Sequence, residues 1–398
     1  MSDYYSNLID IEKAHHTKLF SKREFVVSKG KGALLYDEKG NEYIDCEAGH
    51  AVLNIGHSHP KYIEAVKKQL DNLVMISPGY PVEVRAKLLE KLANITPKSL
   101  NQSFLCNSGT ESIETALKII LATNRDKNKP EVIAFKRDFH GRTLGSLAMT
   151  HNMRYRKPFL PWLSNHVKFA SHGNIDSVKE LVNDNTIAIF CELIQGEGGI
   201  YPVPDEFPKA LRELCDEKDI TLVVDEVQTG FGRTGKMFAF EHYNIEPDII
   251  CMAKAIAGGL PMGATVASED LYNKFLDGEH GTTFGGNPIV CAAANAVIDI
   301  ILEENLVENS AKQGKKILSN LNTLAENNDI IRTVRGKGLM VGIEYKTKVR
   351  ELIQKAEKLH VIMLNAGLTV IRLLPPLVIN DDQVAKVLDV IHEISKQS

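Results

Sequence analysis

A chain of 398 residues, 43% hydrophobic and 25% charged, has the composition of an ordinary globular protein. Its formal charge of −4, from 47 basic and 51 acidic residues interleaved throughout, leaves no footprint for nucleic acid or an anionic membrane surface. The length exceeds the roughly 250–300 residues at which one hydrophobic core stops growing, so a large domain with a smaller companion is expected.

The N-terminal "MSDYYSNLIDIEKAHH" carries acids and histidines where a signal peptide needs an apolar stretch. No apolar run approaches the roughly 20 residues of a membrane span, and a cytoplasmic protein is expected. "VVSKGKGALLYDEKGNEYIDC" reads as hairpin strands around "DEKG". From about Pro60 to Ala264, short apolar strand candidates alternate with amphipathic helical stretches. "SFLCNSGT" precedes "ESIETALKIILATN", "EVIAFK" leads into "DFHGRT", and "IAIFCELIQG" precedes "DEFPKALRELCDEKD"; "ITLVVDEV" and "DIICMAKAI" follow. This alternation predicts an α/β fold whose mostly parallel sheet is covered by helices, with ligands beyond the carboxyl ends of the strands.

After Pro288 one long helical run, "IVCAAANAVIDIILEENLVENSAKQGKKILSNLNTL", gives way to the strands "TVRGKGLMVGIEY" and "GLTVIRLLPPLVI". Residues 56–287 are therefore expected to form the large α/β domain, and residues 1–55 with 288–398 the smaller α+β domain. Six scattered cysteines without a CxxC pair read as buried hydrophobes in a reducing compartment. His57 and His59, in the turn-like "IGHSHP", read as structural histidines, and no metal is expected.

Three stretches at predicted strand ends carry chemistry. In "NSGTES", a Ser-Gly-Thr turn between strand and helix points backbone N–H groups at one spot, where an anion belongs. Ordinary N-capping by Ser108 or Thr110, with Glu114 in a capping-box role, accounts for the same residues. In "TLVVDEVQTGFGRTG", Asp225 follows the apolar run Leu222, Val223 and Val224, and a buried carboxylate demands a cationic or protonated partner; Arg233 is one candidate. Lys254 lies 29 residues later at the next strand end. A solvated lysine is the plain reading, whereas a desolvated amine in a crevice shared with Asp225 loses its proton readily and becomes a nucleophile. Anion cradle, carboxylate and amine together describe a site for pyridoxal 5′-phosphate, which offers a phosphate, a cationic ring and an aldehyde.

The ordered set "NSGTES", "FHGRT", "DEVQTGFGRTG", "AKAIAGGLPMGA", "HGTTFGGNP" and "VRGKGLMVGIE" resembles the class III aminotransferases of pyridoxal-phosphate fold type I, and within them the acetylornithine aminotransferase group. The resemblance runs from about Gly32 to Pro376. It implies that Lys254 carries the cofactor through its amine and then moves the substrate proton, while Asp225 keeps the pyridine nitrogen protonated. Gln228 would hydrogen-bond the ring's phenolic oxygen, with Val227 beside it. Ser108, Gly109 and Thr110 would cradle the phosphate, and Phe139 would stack on the ring. Thr283 is similar to a family threonine that reaches the phosphate in the neighbouring subunit, which implies a homodimer, and Thr282 sits at a position used near substrate.

The same resemblance assigns Arg372, in "VIRLLPP", to the α-carboxylate of glutamate or 2-oxoglutarate, and Glu197, in "IQGEGG", to neutralising that arginine when the other substrate is bound. Arg142 would bind the distal carboxylate of an N-acylated donor. Ornithine δ-aminotransferases carry a tyrosine where "EAGHAVLNIGH" has Gly49, so an acylated ornithine or lysine is expected as donor, free or tethered to an acidic amino-group carrier protein. Arg154, Arg156 and Lys157 in "MRYRKPFLPW" form a candidate basic surface for such a carrier. Free ornithine, 4-aminobutyrate and glutamate-1-semialdehyde chemistry fit the same lysine and aspartate. A nucleotide-binding oxidoreductase or a silent regulatory protein would leave Lys254 and Asp225 without a role.

Overall fold

The computed structural model describes residues 2–19 and 22–396, so the outermost residues assigned to the smaller unit, 1 and 397–398, lie outside the description. At its centre is a seven-stranded sheet, running in order across it Gln102–Cys106, Gly263–Ala267, Ile249–Met252, Thr221–Asp225, Thr186–Cys191, Glu131–Phe135 and Val167–Ala170. The middle and far strands pair in parallel, and only Gly263–Ala267 runs against its two neighbours.

Alternation along these strands produces two cores. Val132, Ala134, Val223 and Ile249 pack with Ile113, Ala116, Ile119 and Ile120 of the helix Gly109–Thr123. Their neighbours Ile133, Phe135, Leu222, Val224 and Ile250 face the other way, into the cluster that holds Leu211 and Leu214 of the helix Phe207–Lys218. Burial on both faces explains why the strands read as continuous apolar runs rather than alternating ones.

Two antiparallel assemblies flank this sheet. Strands Val27–Lys31, Leu34–Asp37 and Glu42–Asp45 form consecutive hairpins, the second around the anticipated "DEKG". Val361–Ile362 adds in parallel to Glu42–Asp45, which joins the two ends of the chain. A four-stranded sheet, Ile331–Lys337, Met340–Tyr345, Val370–Leu373 and Leu364–Ala366, carries Arg372 opposite Gly342.

Three local features depart from the sequence reading. A helix, Ser2–His15, begins the chain where none was anticipated. The long run after Pro288 is two helices, Pro288–Glu303 and Leu306–Glu326, broken at Asn305, whose φ of 52° is left-handed. The strand before Lys254 ends at Met252, and Lys254 itself opens a 3-10 turn with φ 45°. Helix Pro288–Glu303 packs on Pro60–Asn72, on Glu83–Ile95 and on the next helix, Leu306–Glu326. We propose that it connects the two units, with the boundary near Pro288. Among the described residues no helix is long and apolar enough to cross a membrane.

Candidate active site

The carboxyl ends of the central strands open into a cavity of about 790 Å³. Ser108, Gly109, Thr110, Phe139, Arg142, Glu197, Asp225, Val227, Gln228, Lys254 and Arg372 all line it. Thr282 and Thr283 do not line it. Thr282 Oγ1 sits behind the wall, 3.4 Å from the Asn107 amide nitrogen, and Thr283 is exposed.

Ser108 is the N-cap of helix Gly109–Thr123, and its hydroxyl donates to Glu111 Oε2 at 2.8 Å. The capping partner is thus Glu111 rather than Glu114, which instead accepts from the Ser146 amide at 3.0 Å. Capping leaves the Gly109 and Thr110 amides without a carbonyl one turn earlier in the helix, and both residues line the cavity at the positive end of the dipole. A Cβ at Gly109 would meet Val227 Cγ1 at 2.8 Å, so only glycine fits there.

Asp225 does not pair with Arg233, which bonds the Leu339 carbonyl at 3.1 Å and, more closely, the Pro375 carbonyl and Asn54. Its partner is His140, whose Nδ1 lies 2.8 Å from Asp225 Oδ2, while Asp138 Oδ2 stands 3.4 Å from His140 Nε2. Burial alone would discharge this imidazole; hydrogen bonds to Asp138 and Asp225 and their charges outweigh it and raise the group to about 10. His140 is therefore a cation seated beside Asp225. Glu192, behind Phe139, is pushed upward by burial and then by the charges of Asp138 and Asp225. Its carboxylate accepts from the Phe139 and Gly196 amides at 2.8 and 3.0 Å. His140 and Glu192 escaped the sequence reading although both sit inside motifs quoted above.

The Lys254 amine makes no hydrogen bond or ion pair with any described residue. Part of its surface opens to the cavity, yet its amine lies deep in the protein. Burial, followed by the Arg372 charge, lowers it to about 8 against the pull of Asp225 and Glu192. Holding a lysine at φ 45° adds backbone strain of the kind that accumulates at functional sites.

Arg372 is 6% exposed, with its Nε buried and unpartnered. Among the described residues no carboxylate comes within ion-pair distance of it. Burial holds the guanidinium below its ordinary value, opposed by the charges of Glu197, Glu47 and Glu192. Glu197 Oε1 instead accepts from the Tyr155 hydroxyl at 2.5 Å. The Arg142 guanidinium lies 3.8 Å from the Tyr155 ring centroid and 5.4 Å from that of Phe139. Tyr155 was not anticipated as a site residue. Its neighbours differ from expectation too: Arg154 and Lys157 are exposed, but Arg156 is half-buried over the Phe169 ring at 4.8 Å.

The glycine loop bearing Glu197 is tied to the strand Ile331–Lys337. Arg335 donates from Nε and Nη2 to the Gly199 carbonyl at 3.0 and 2.7 Å, and from Nη1 to Glu344 at 2.8 Å. At the opposite margin, Ala48, Gly49, His50 and Ala51 all take positive φ, a left-handed turn that places His50 and Val52 on the cavity. Asp45 supports it, accepting from the Glu47 and Ala48 amides at 2.8 and 2.9 Å and from His57 Nε2 at 2.7 Å. His59 bonds Glu304 instead, at 3.1 Å, so the two histidines serve separate carboxylates.

These residues fit pyridoxal phosphate. The buried Gln228 Oε1 has no partner, an unpaired amine shares the cavity with the Asp225 carboxylate, and a helix start offers free amides for a phosphate. When bound, the cofactor supplies an electron sink that lets an amino group pass between two carbon skeletons.

The family model "Aminotransferase class-III" matches residues 18–394, and the chain belongs to that family. It is 41% identical over 390 residues, 98% of this chain and 96% of the other, to an acetylornithine aminotransferase of Methanosarcina acetivorans. It is 39% identical over 386 residues to ornithine aminotransferase 1 of Staphylococcus saprophyticus, covering 96% and 97% of the two chains. Its structure is similar to the acetylornithine aminotransferase of Elizabethkingia anophelis, with TM-score 0.87, 28% identity and 98% of each chain covered. It is also similar to the ornithine aminotransferase of Toxoplasma gondii, with TM-score 0.94, 28% identity and 98% and 93% covered. The protein is a pyridoxal-phosphate-dependent aminotransferase of fold type I.

Proposed function

We propose that the enzyme moves the terminal amino group of an N-acylated ornithine or lysine to 2-oxoglutarate, giving the semialdehyde and glutamate in arginine or lysine biosynthesis. The observation that carries this reading is the pair of arginines on one cavity with Lys254: Arg372 buried and Arg142 exposed. Two guanidiniums suit the two carboxylates of 2-oxoglutarate, and an acylated ω-amine needs only one of them. Glu197 then neutralises Arg372 while the donor is bound. Lys254, its amine depressed toward neutrality, would hold the cofactor and move the substrate proton, and Asp225, backed by His140, would face the ring nitrogen. Acetylornithine aminotransferases among the relatives support the donor class.

A donor linked to an acidic carrier protein is the second form we propose, favoured by exposed Arg154 and Lys157 close to the cavity. A homodimer is also proposed. Thr283 and Phe284 are exposed on a loop off their own cavity, and Arg85 ties that loop's Gly286 to Pro78, beside exposed Tyr80. A reducing cytoplasm suits the six free buried cysteines.

The test is a single-turnover assay that follows the visible cofactor band after separate additions of N-acetylornithine, ornithine, 4-aminobutyrate and carrier-linked lysine. Fast conversion by an acylated or carrier-linked diamine supports the reading. Faster conversion by free ornithine or 4-aminobutyrate overturns it in favour of those reactions.

A further inference from the structure

Tyr155 meets both carboxylate-handling parts of the site. Its hydroxyl bonds Glu197 at 2.5 Å, and its ring carries the Arg142 guanidinium at 3.8 Å. The phenol is half-buried; burial and then the hydrogen bond and charge of Glu197 push it above its ordinary value, so it is protonated at neutral pH and acts as the donor. Glu197 thus has a partner other than Arg372, and Arg372 is left without an ion pair among the described residues.

A buried guanidinium without a counter-ion is costly and draws any carboxylate within reach. The substrate's α-carboxylate must compete with Glu197 for that position. Whatever stabilises Glu197 elsewhere therefore strengthens the binding of α-carboxylate substrates. We propose that Tyr155 is a positioning residue: its hydroxyl holds the Glu197 carboxylate off Arg372 and so sets the balance between the half-reaction with an α-amino or α-oxo acid and the half-reaction with an ω-amine. The inference rests on the roles of Glu197 and Arg372 given under Proposed function.

The test is Tyr155→Phe, which keeps the ring beneath Arg142 and removes only the hydroxyl. A hydrogen bond to a charged group contributes on the order of tenfold in an equilibrium. The KM for 2-oxoglutarate and glutamate should rise about tenfold with kcat little changed, while the KM for the acylated ω-amine is unchanged or falls. In a Glu197→Gln background the same substitution should add nothing, because the group it positions is already neutral. A parallel loss in both half-reactions, or an undiminished effect in the Glu197→Gln background, would overturn the Tyr155 role. If Glu197→Gln splits the half-reactions but Tyr155→Phe does not, the tyrosine proposal alone fails. If Glu197→Gln shows no split, the Glu197 reading fails and the Tyr155 role with it.

Discussion

His140 Nδ1 stands 2.8 Å from Asp225 Oδ2, so the buried carboxylate on the cavity wall is partnered by a histidine rather than an arginine. The second ring nitrogen faces Asp138 at 3.4 Å, and one imidazolium serves two acids.

This arrangement gives a pH signature. The histidine is raised from 6.5 to about 10 in the folded chain, so its stabilising contribution is complete below 6.5 and is lost as the pH climbs through 10. His140→Gln leaves two buried carboxylates without a cation and is expected to destabilise the enzyme by about 3 kcal/mol at neutral pH. Urea unfolding of both proteins from pH 6 to 10 checks it. The stability difference should shrink toward alkaline pH, and a constant difference would assign the effect to packing.

Lys254 carries the opposite sign. Its folded value of about 8 lies below the ordinary 10.5, so at pH 7 the folded apoprotein bears the burden of a charged amine placed where a neutral one is preferred. Lys254→Met should abolish transamination while stabilising the apoprotein by about 1–3 kcal/mol at pH 7. That gain should diminish between pH 8 and 10.5. Thermal unfolding of cofactor-free wild type and variant measures it, and a destabilised variant would show that the amine is satisfied in the fold.

The large sheet, and the grouping of Ser108, Gly109, Asp225 and Lys254 on one cavity, were legible because their signals are local. The strand "TLVVD" stops at Asp225, which lines the cavity, and the Ser-Gly-Thr turn marks the start of helix Gly109–Thr123. What was not legible depends on contacts across the chain. The partner of Asp225 lies 85 residues away, and Arg233 was as good a candidate from sequence. Tyr155 sits in a segment whose basic residues drew attention instead, and Arg156 turned out to be stacked on Phe169. "VRGKGLM" was informative only as a resemblance. Its physical task, Arg335 clamping the Gly199 carbonyl 136 positions earlier, needs the folded structure.

The position of Thr283 yields a complementation test of the proposed dimer. If Thr283 acts in the partner's cavity, mixed dimers of Lys254→Ala and Thr283→Ala subunits contain one cavity with both residues intact and one with neither. Thr283→Ala alone should weaken cofactor binding about tenfold through a lost hydrogen bond to a charged group. Refolded mixtures should then recover a fraction of sites with wild-type cofactor affinity, read by titration of the visible band. If no high-affinity sites appear on mixing, Thr283 serves its own chain or none.

Gly49 offers a direct test of donor choice. The residue is exposed in the left-handed turn, and a Cβ there would lie 3.7 Å from Val52 Cβ and 3.9 Å from Leu53 Cδ1, ordinary contact distances. Its φ of 60° makes any side chain cost about 1 kcal/mol, the strain already borne by Ala48, His50 and Ala51 on either side. Gly49→Tyr should therefore fold with a small loss of stability. Since His50 and Val52 of the same turn face the cavity, a phenol at position 49 is placed to reach the far end of a donor. The expected outcome is a rise of about tenfold in kcat/KM for free ornithine relative to N-acetylornithine, equivalent to one new hydrogen bond to a charged amine or carboxylate. An unchanged ratio in a folded variant would place the discrimination on Arg142 and its tyrosine rather than on this turn.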